Sequence, residues 1–113
     1  MGTILDTSVI LEEPQELLNY DDIIIPNCVI KELDKKKYHK RLGYKAREAI
    51  RIIIDKNFSY KMFENSDNYA DDVILRNADS HKVITADGSF YLRGKSKGLD
   101  IEFYESVDKK IYN

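Results

Sequence analysis

The sequence predicts an α/β protein with a three-layer α/β/α architecture, in which helices cover both faces of a central parallel sheet of four or five strands. Short runs of β-branched and other apolar residues alternate along the chain with longer stretches of helical periodicity, which is the order that βαβ units produce. Several of these short runs are apolar without alternation, as strands buried on both faces are. A doubly wound parallel sheet accounts for both observations.

The first half of the chain contains two strands and three helices. Pro26 lacks a backbone N–H and therefore ends the second strand. The last helix carries one apolar stripe facing the core, formed by Ala46, Ile50, Ile53 and Ile54. The predicted elements are a strand at 3–5, a helix at 9–19, a strand at 23–25 and helices at 28–37 and 44–56.

The second half supplies three more strands and two helices. Its first strand alternates with period two, which is typical of a strand with one buried face. Gly98 follows a short helix at the position where glycine commonly ends helices. The predicted elements are a strand at 58–63, a helix at 70–80, a strand at 83–85, a helix at 90–97 and a strand at 101–103.

Length and composition indicate one domain over residues 1–113, since no repeat or Pro/Gly/Ser-rich linker divides the chain. The single Cys28 cannot form an internal disulfide, which favours a reducing, cytoplasmic location. Apolar runs are too short to span a bilayer, so no membrane partner is expected. The formal net charge of −2 taken alone argues against a nucleic-acid partner.

Several acidic residues lie just after predicted strands or in the first turns of the helices that follow them. In doubly wound sheets, functional groups gather outside the carboxyl ends of the strands. We therefore expect these acids to meet at one edge of the sheet. They are Asp6, Glu32, Asp71, Asp72 and Asp87.

Carboxylates that converge on one site repel each other, and a divalent cation relieves that repulsion. Mg²⁺ and Mn²⁺ prefer oxygen ligands and are commonly held by a few carboxylates together with substrate phosphate. Such a site permits hydrolysis of phosphodiesters without a covalent nucleophile.

Each acid also has an ordinary structural interpretation. Asp6 could cap the following helix, and Glu32 could pair with Lys36 one turn along. Asp71 and Asp72 favour a helix N-terminus through the helix dipole. Asp87 begins a common turn dipeptide.

The first two acids lie in motifs that resemble those of PIN domains. Residues 4–10 resemble the family's opening motif, in which the first strand ends in Asp-Thr-Asn or Asp-Thr-Ser. Residues 25–34 resemble its second motif, a strand ending in Pro followed by a helix that bears the acid, here Glu32. The resemblance continues over essentially the whole chain.

Residues 70–75 resemble the third motif, in which the acid precedes an Ile by three positions, and that spacing selects Asp71. Residues 83–90 resemble the fourth, with Asp87 as the acid. Residues 43–49 also resemble PIN domains attached to PhoH-type ATPases. Because 113 residues leave no room for an ATPase and no Gly-rich Lys-Ser/Thr loop occurs, none is expected here.

The resemblance implies a metal-dependent endoribonuclease that cleaves single-stranded RNA with Mg²⁺ or Mn²⁺. It makes Asp6, Glu32, Asp71 and Asp87 the catalytic metal ligands, with Thr7, Ser8, Thr85 and Asp72 supporting them. Small PIN domains of this kind resemble toxins or RNA-processing nucleases. A partner protein such as an antitoxin, or a homodimer, is expected accordingly.

A carboxylate site repels the RNA backbone, so basic residues must hold the substrate. Residues 35–51 contain eight Lys or Arg against Glu48 alone, a local charge of +7, and a smaller basic cluster follows Asp87. Tyr38, Tyr44 and Tyr91 lie among these clusters and could stack on unpaired bases. The residues expected to bind RNA are Lys35, Lys36, Lys37, Lys40, Arg41, Lys45, Arg47, Arg93 and Lys95.

Of two alternative functions, the sequence disfavours the first and leaves the second open. A haloacid-dehalogenase-like phosphatase would require a second Asp two residues after Asp6, where Ser8 stands. A PIN-like module that binds RNA or protein without turnover would retain the same acids, so their presence does not exclude it.

Overall fold

The computed structural model describes residues 2–63, 70–78 and 80–105, and of Asp71 the backbone alone. Strands and helices alternate from β1 to β5, as predicted. The elements are β1 (Thr3–Leu5), α1 (Thr7–Glu12), a 3-10 helix (Pro14–Leu18), β2 (Ile24–Pro26), α2 (Asn27–Lys36), α3 (Gly43–Asp55), β3 (Ser59–Lys61), α4 (Ala70–Asn77), β4 (Lys82–Thr85), α5 (Gly88–Ser96) and β5 (Ile101–Phe103).

Every strand pair in the described structure is parallel. One ladder has the order β1-β4-β5 and a second pairs β2 with β3. A parallel bridge between Thr3 and Ile23 and a 2.9 Å hydrogen bond from Thr3 N to the Asp22 carbonyl join the two ladders. The strands therefore run in the order β3-β2-β1-β4-β5, and the direction of winding reverses between β1 and β4.

Helices cover this sheet on both sides, as the predicted α/β/α architecture requires. The helices α1, α2 and α3 pack against one another, while α5 packs against β4 and β5. Because parallel crossovers are right-handed, reversing the winding direction moves the helices to the opposite face of the sheet. The core between these layers includes fully buried Ile4, Val9, Val29, Ile74 and Phe90.

The single helix predicted for residues 9–19 is wrong. Helix α1 ends at Glu12, Glu13 is extended with φ −147° and ψ 91°, and a 3-10 helix starts at Pro14. Proline lacks an N–H and disfavours helical backbone in the residue before it. Pro14 therefore breaks the apolar periodicity into two short helices.

Strand β3 is shorter than predicted, and its burial does not follow the expected alternation. Ser59, Tyr60 and Lys61 are all exposed, whereas Phe63, beyond the strand, is buried. Within the described residues β3 pairs with β2 alone, so it lies at the edge of the sheet, where neighbours do not enforce a buried face.

The other boundaries lie close to those predicted. Helix α4 ends at Asn77, short of the predicted Ser80, while α5 begins at Gly88 directly after its Asp87 cap. Gly98 has φ +78° and ends α5 as predicted. In the described part of the chain, no helix has the length and apolar character needed to cross a bilayer.

Candidate active site

The candidate site lies where the winding direction reverses, at the carboxyl ends of β1 and β4. Residues 3–5 of β1 pair with residues 82–84 of β4, and Asp6 N continues this ladder with a 2.8 Å hydrogen bond to the Ile84 carbonyl. Ligand sites of doubly wound sheets occur at this switch point. The fold thus brings Asp6 together with residues almost 80 positions later in the chain.

Asp6 is buried, with 5% of its surface exposed, and its carboxylate does not cap α1. Ser8 Oγ and Thr85 Oγ1 instead donate hydrogen bonds to Asp6 Oδ2 at 2.8 and 2.9 Å. A buried carboxylate needs such donors because it has lost its hydration. The simple capping interpretation of Asp6 is therefore wrong.

The same two hydroxyl groups also accept hydrogen bonds from the backbone after β4. Ala86 N donates to Ser8 Oγ and Asp87 N donates to Thr85 Oγ1, each at 3.0 Å. Each hydroxyl therefore links the Asp6 carboxylate to the chain that leaves β4. This connection fixes Asp6 relative to the turn that begins α5.

Glu32 lies on α2, one turn after Cys28. It is half-buried, and no ion pair with Lys36 occurs, so its structural interpretation is not realised. Burial, together with the charges of Asp6 and Glu32, raises the pKa of the Cys28 thiol from 9.0 to about 11. Both carboxylates thus contribute to the electrostatic environment of this thiol.

Asp87 is exposed and caps α5. Its Oδ1 accepts hydrogen bonds from Ser89 N at 2.9 Å and from Phe90 N at 3.3 Å. This carboxylate stands beside Thr85 at the same sheet edge as Asp6, but it also has the structural role of a helix cap. Its role as a metal ligand stays a prediction.

The remaining two acids lie in the first turn of α4. The Asp72 carboxylate forms an ion pair with Arg93 of α5, which ties α4 to α5. The side chain of Asp71, predicted as the third ligand, lies outside what the structure describes. Among described side chains, no three His, Cys, Asp or Glu residues form a group that could hold a metal.

Thr7 is the one buried residue of this region whose polar side-chain atom is unsatisfied in the described structure. Thr7 Oγ1 is buried and has no hydrogen-bond partner among the described atoms. Buried hydroxyl groups nearly always have a partner, so Thr7 Oγ1 is a candidate to contact a ligand or residues outside the described ranges.

The predicted RNA-binding residues divide into two groups. Five have intramolecular contacts: Lys37 with Asp34, Lys45 with the Glu12 carbonyl, Arg47 with the Lys37 carbonyl, Arg93 with Asp72 and Lys95 with the Tyr91 ring. Lys35, Lys40 and Arg41 are exposed around the turn between α2 and α3, and Lys36 is half-buried there.

The aromatic residues of these clusters also differ in their surroundings. Tyr38 and Tyr44 are exposed, whereas the Tyr91 ring packs against Phe103 with centroids 5.7 Å apart. His39 Nδ1 accepts hydrogen bonds from the N–H groups of Arg41 and Leu42 and so stabilises the turn between α2 and α3.

Sequence reasoning missed the backbone part of the site. The Ala86 N–H binds Ser8, 78 positions away, and the Asp87 N–H binds Thr85, two positions before it. No local motif reveals a contact as distant in sequence as the first of these. Sequence reasoning also missed that Lys45 and Arg47 bind carbonyl groups within the protein. Their alternation with apolar residues on an amphipathic helix was compatible with either role.

A buried carboxylate held by two hydroxyl groups at the switch point of a parallel sheet places the protein among α/β domains with an acidic site. The chain matches the PIN domain model over residues 3–113. It belongs to the PIN domain family.

Protein PhoH2 from Thermobispora bispora is 44% identical to it over 54 residues, and PhoH2 from Mycolicibacterium smegmatis is 39% identical over 54 residues. Each match covers 46% of this chain but 12% of the relative. The chain thus corresponds to a small part of the PhoH2 proteins it matches.

Solved structures agree with the fold. A domain of a functionally unknown protein from Methanocaldococcus jannaschii has a TM-score of 0.72 at 24% identity, covering 94% of this chain and 92% of that one. The PIN domain endonuclease Utp24 has a TM-score of 0.66 at 26% identity, covering 93% of this chain and 86% of that one.

Proposed function

We propose that the protein is a metal-dependent endoribonuclease that hydrolyses single-stranded RNA. The observation that carries this proposal is the Asp6 carboxylate, buried at the switch point and held by Ser8 and Thr85. Membership of the PIN domain family and the likeness to the Utp24 endonuclease support a nuclease or RNA-related function.

The oxygen donors proposed for this edge are of the chemical kind that a hard divalent cation prefers. The carboxylates of Asp6 and Glu32 supply oxygen ligands, which Mg²⁺ and Mn²⁺ prefer. Thr7 Oγ1, which has no hydrogen-bond partner in the described part of the chain, offers a further oxygen at the start of α1. Asp71 and Asp87 complete the proposed set of ligands.

When bound, the ion lowers the pKa of a coordinated water and stabilises negative charge on the phosphate. The chain's own residues position the reaction. Asp6 and Glu32 hold the ion, and Ser8 and Thr85 keep Asp6 in a fixed orientation. Asp72, through its ion pair with Arg93, holds the first turn of α4 next to α5.

The RNA backbone is held by basic residues near the carboxylates. Lys35 and Lys36 follow Glu32 by about one helical turn, or roughly 5–6 Å along α2. Exposed Lys40, Arg41 and Lys95 extend this positive surface, while Tyr38 and Tyr44 offer rings for unpaired bases. In a cell, such an activity serves RNA processing or acts as a toxin that a partner protein restrains, in the cytoplasm.

The test measures cleavage of an unstructured RNA oligonucleotide with Mg²⁺, with Mn²⁺ and with EDTA. Asp6→Asn keeps the shape of the side chain but removes its charge. Loss of an outer contact to a metal ligand costs about 10–100-fold in activity, so loss of the ligand itself should cost more than about 100-fold. Asp100→Asn, an exposed carboxylate at the opposite sheet edge, is the matched control.

Contaminating ribonucleases are excluded by the substrate. Hydrolysis by a metal-activated water does not use the RNA 2′-hydroxyl as nucleophile, so a substrate with a 2′-deoxy residue at the cleaved position should still be cut. Cleavage in EDTA, or cleavage unaffected by Asp6→Asn, would contradict the proposal. RNA binding without cleavage under any metal would favour the non-catalytic module.

A further inference from the structure

A groove lies between α2 and α3, with a volume of about 740 Å³. We call it the α2–α3 groove and define it by its apolar and its charged lining. The apolar lining is Cys28, Ile30, Leu33, Ile50, Ile53, Ile54 and Tyr60, and the charged lining is Lys31, Asp34, Lys37 and Arg47. None of these residues is needed as a ligand in the proposed nuclease site.

The apolar side chains form a floor and two walls. Leu33, Ile53 and Cys28 are buried and form the floor. The walls are exposed: Ile54 is 74% exposed and Ile30 is 42% exposed. Neighbouring exposed apolar residues around a concave surface indicate a binding site more often than a solvated face.

The spacing of the lining residues indicates the shape of the occupant. Along α2 the groove is lined at positions 27, 28, 30, 31, 33, 34 and 37, and on α3 at 47, 50, 53 and 54, so the sides of the two helices that face each other border it. A groove between two helices that runs along α2, about 15 Å in length, fits the apolar face of a third helix.

The charged residues of the rim indicate which charge the occupant should carry. Lys31, Lys37 and Arg47 face one acidic residue, Asp34. Asp34 is paired with Lys37 at 2.7 Å, so these two charges offset each other. Lys31 and Arg47 leave the rim positive overall, so it complements acidic side chains beside the apolar face of the occupant.

A second copy of this chain does not match the charge of this groove. A two-fold contact places the same patch on both sides of the interface, and here it would bring two positive rims together. Single-stranded RNA matches the charge of the rim, and Tyr60 offers it one ring, but Leu33, Ile53 and Cys28 of the floor offer none on which a base can stack. An acidic amphipathic helix satisfies both.

We propose that the α2–α3 groove binds an amphipathic helix of a partner protein, with its apolar face on Ile30, Ile54 and Tyr60 and acidic residues against Lys31, Lys37 and Arg47. This inference is independent of catalysis, because Asp6 and the sheet edge take no part in it. The surface binds whether or not the protein cleaves RNA.

The test selects helical peptides of about 18 residues, long enough to form a helix, from a phage-displayed library on the whole protein. An enriched peptide is then labelled and its affinity measured by fluorescence anisotropy. Ile54→Glu should weaken binding at least tenfold. Leu92→Glu on α5, where Leu92 is 67% exposed, is the matched control and should leave binding unchanged.

The charge of the enriched peptides provides a second test of the proposal. Enriched sequences should repeat apolar residues every three or four positions and carry Asp or Glu, and Lys31→Glu should weaken their binding. Replacing the acids of the peptide by Lys should have the same effect. Circular dichroism confirms that each variant is folded.

Four results would overturn the proposal. They are no enriched peptide, enrichment of basic or non-periodic peptides, binding that survives Ile54→Glu, and self-association through this surface, detected by light scattering and abolished by Ile54→Glu. Competition by single-stranded RNA at this groove would instead assign the surface to nucleic acid.

Discussion

Asp6 has lost nearly all contact with water, and the hydroxyl groups of Ser8 and Thr85 replace part of its hydration. Each hydroxyl donates its one proton to the carboxylate and accepts a backbone N–H from residues 86–87. This arrangement uses both the donor and the acceptor capacity of Ser and Thr. Residues that cannot do both would break the link between the Asp6 carboxylate and the chain that leaves β4.

Removing either hydroxyl should affect both stability and activity. Ser8→Ala and Thr85→Val each remove one hydrogen bond to the buried Asp6 carboxylate and the acceptor of one backbone N–H of residues 86–87, which costs about 1–3 kcal/mol of unfolding free energy. Each should also lower kcat by about 10–100-fold with a smaller effect on RNA binding. Thr85→Ser keeps the hydroxyl and should retain most activity. An equal loss in Thr85→Ser and Thr85→Val would show that packing, not the hydrogen bond, matters.

Titration of the Cys28 thiol makes the free energy of unfolding depend on pH in the alkaline range. Burial, with the charges of Asp6 and Glu32, raises its pKa from 9.0 to about 11, so the unfolded chain loses this proton before the folded protein does. The thiol therefore lowers the free energy of unfolding as pH rises from about 9 to 11 and has no such effect below pH 9.

Urea unfolding at pH 8 and pH 10.5 measures this effect. Wild type should lose more stability between the two values than Cys28→Ala, which lacks the titrating group. The native thiol should also resist alkylation at pH 8 because it is protonated and buried. Equal pH dependence in both proteins would contradict the assignment.

The breaks between elements depend on single residues. Pro14 divides one apolar periodicity into α1 and a 3-10 helix, and Gly98 ends α5 with φ +78°. After Gly98, the Leu99 N–H returns to the Gly94 carbonyl at 3.0 Å, as helix ends closed by a left-handed residue do. These residues set where the chain turns toward β2 and β5.

Alanine substitutions of the glycines at the two ends of α5 should change the stability of the protein in opposite directions. Gly98→Ala places a side chain at positive φ, which costs about 1–2 kcal/mol. Gly88 lies in the first turn of α5, where an added Cβ meets nothing within 4 Å, so Gly88→Ala should stabilise by about 0.4–1 kcal/mol. Denaturant unfolding of both variants checks this pair, and effects of the same sign would contradict the reading of the φ angles.

Over the whole molecule, opposite charges are separated along the chain. The total of −2 consists of +7 in residues 35–51 and −9 in the rest. The net charge alone suggested no nucleic-acid partner, but its distribution supports one. An acidic site beside a basic turn can hold a cation and a polyanion together.

The basic turn should contribute to RNA affinity through phosphates. Lys35→Gln together with Lys40→Gln should reduce the slope of log affinity against log salt by about 1.4, since each phosphate contact on a single strand accounts for about 0.7. Filter binding in the Asp6→Asn background, which prevents cleavage, measures this slope. Lys56→Gln, at the other end of α3, is the control, and an equal effect there would contradict a specific role for the turn.

Much of the fold followed from local patterns. Alternation of apolar runs and helical stretches gave the parallel α/β architecture, and α2 and α3 begin and end within one residue of their predicted bounds. Boundaries set by proline and by sheet edges were less certain. The apolar periodicity of residues 9–19 predicted one helix although Pro14 interrupts it. Strand β3 is exposed on both faces because it lies at the edge of the sheet, although its sequence alternates.

Periodicity and the positions of strand ends are local properties, so they were enough to predict a parallel α/β protein with acids after its strands and with motifs that resemble those of PIN domains. The contacts of each acid depend on the tertiary structure. In the folded protein the Asp6 carboxylate binds Ser8 and Thr85 instead of capping α1, and Asp87 caps α5. Asp72 forms an ion pair with Arg93, and a groove lies between α2 and α3. These contacts join residues far apart in sequence, and packing of the sheet and helices is what brings them within bonding distance.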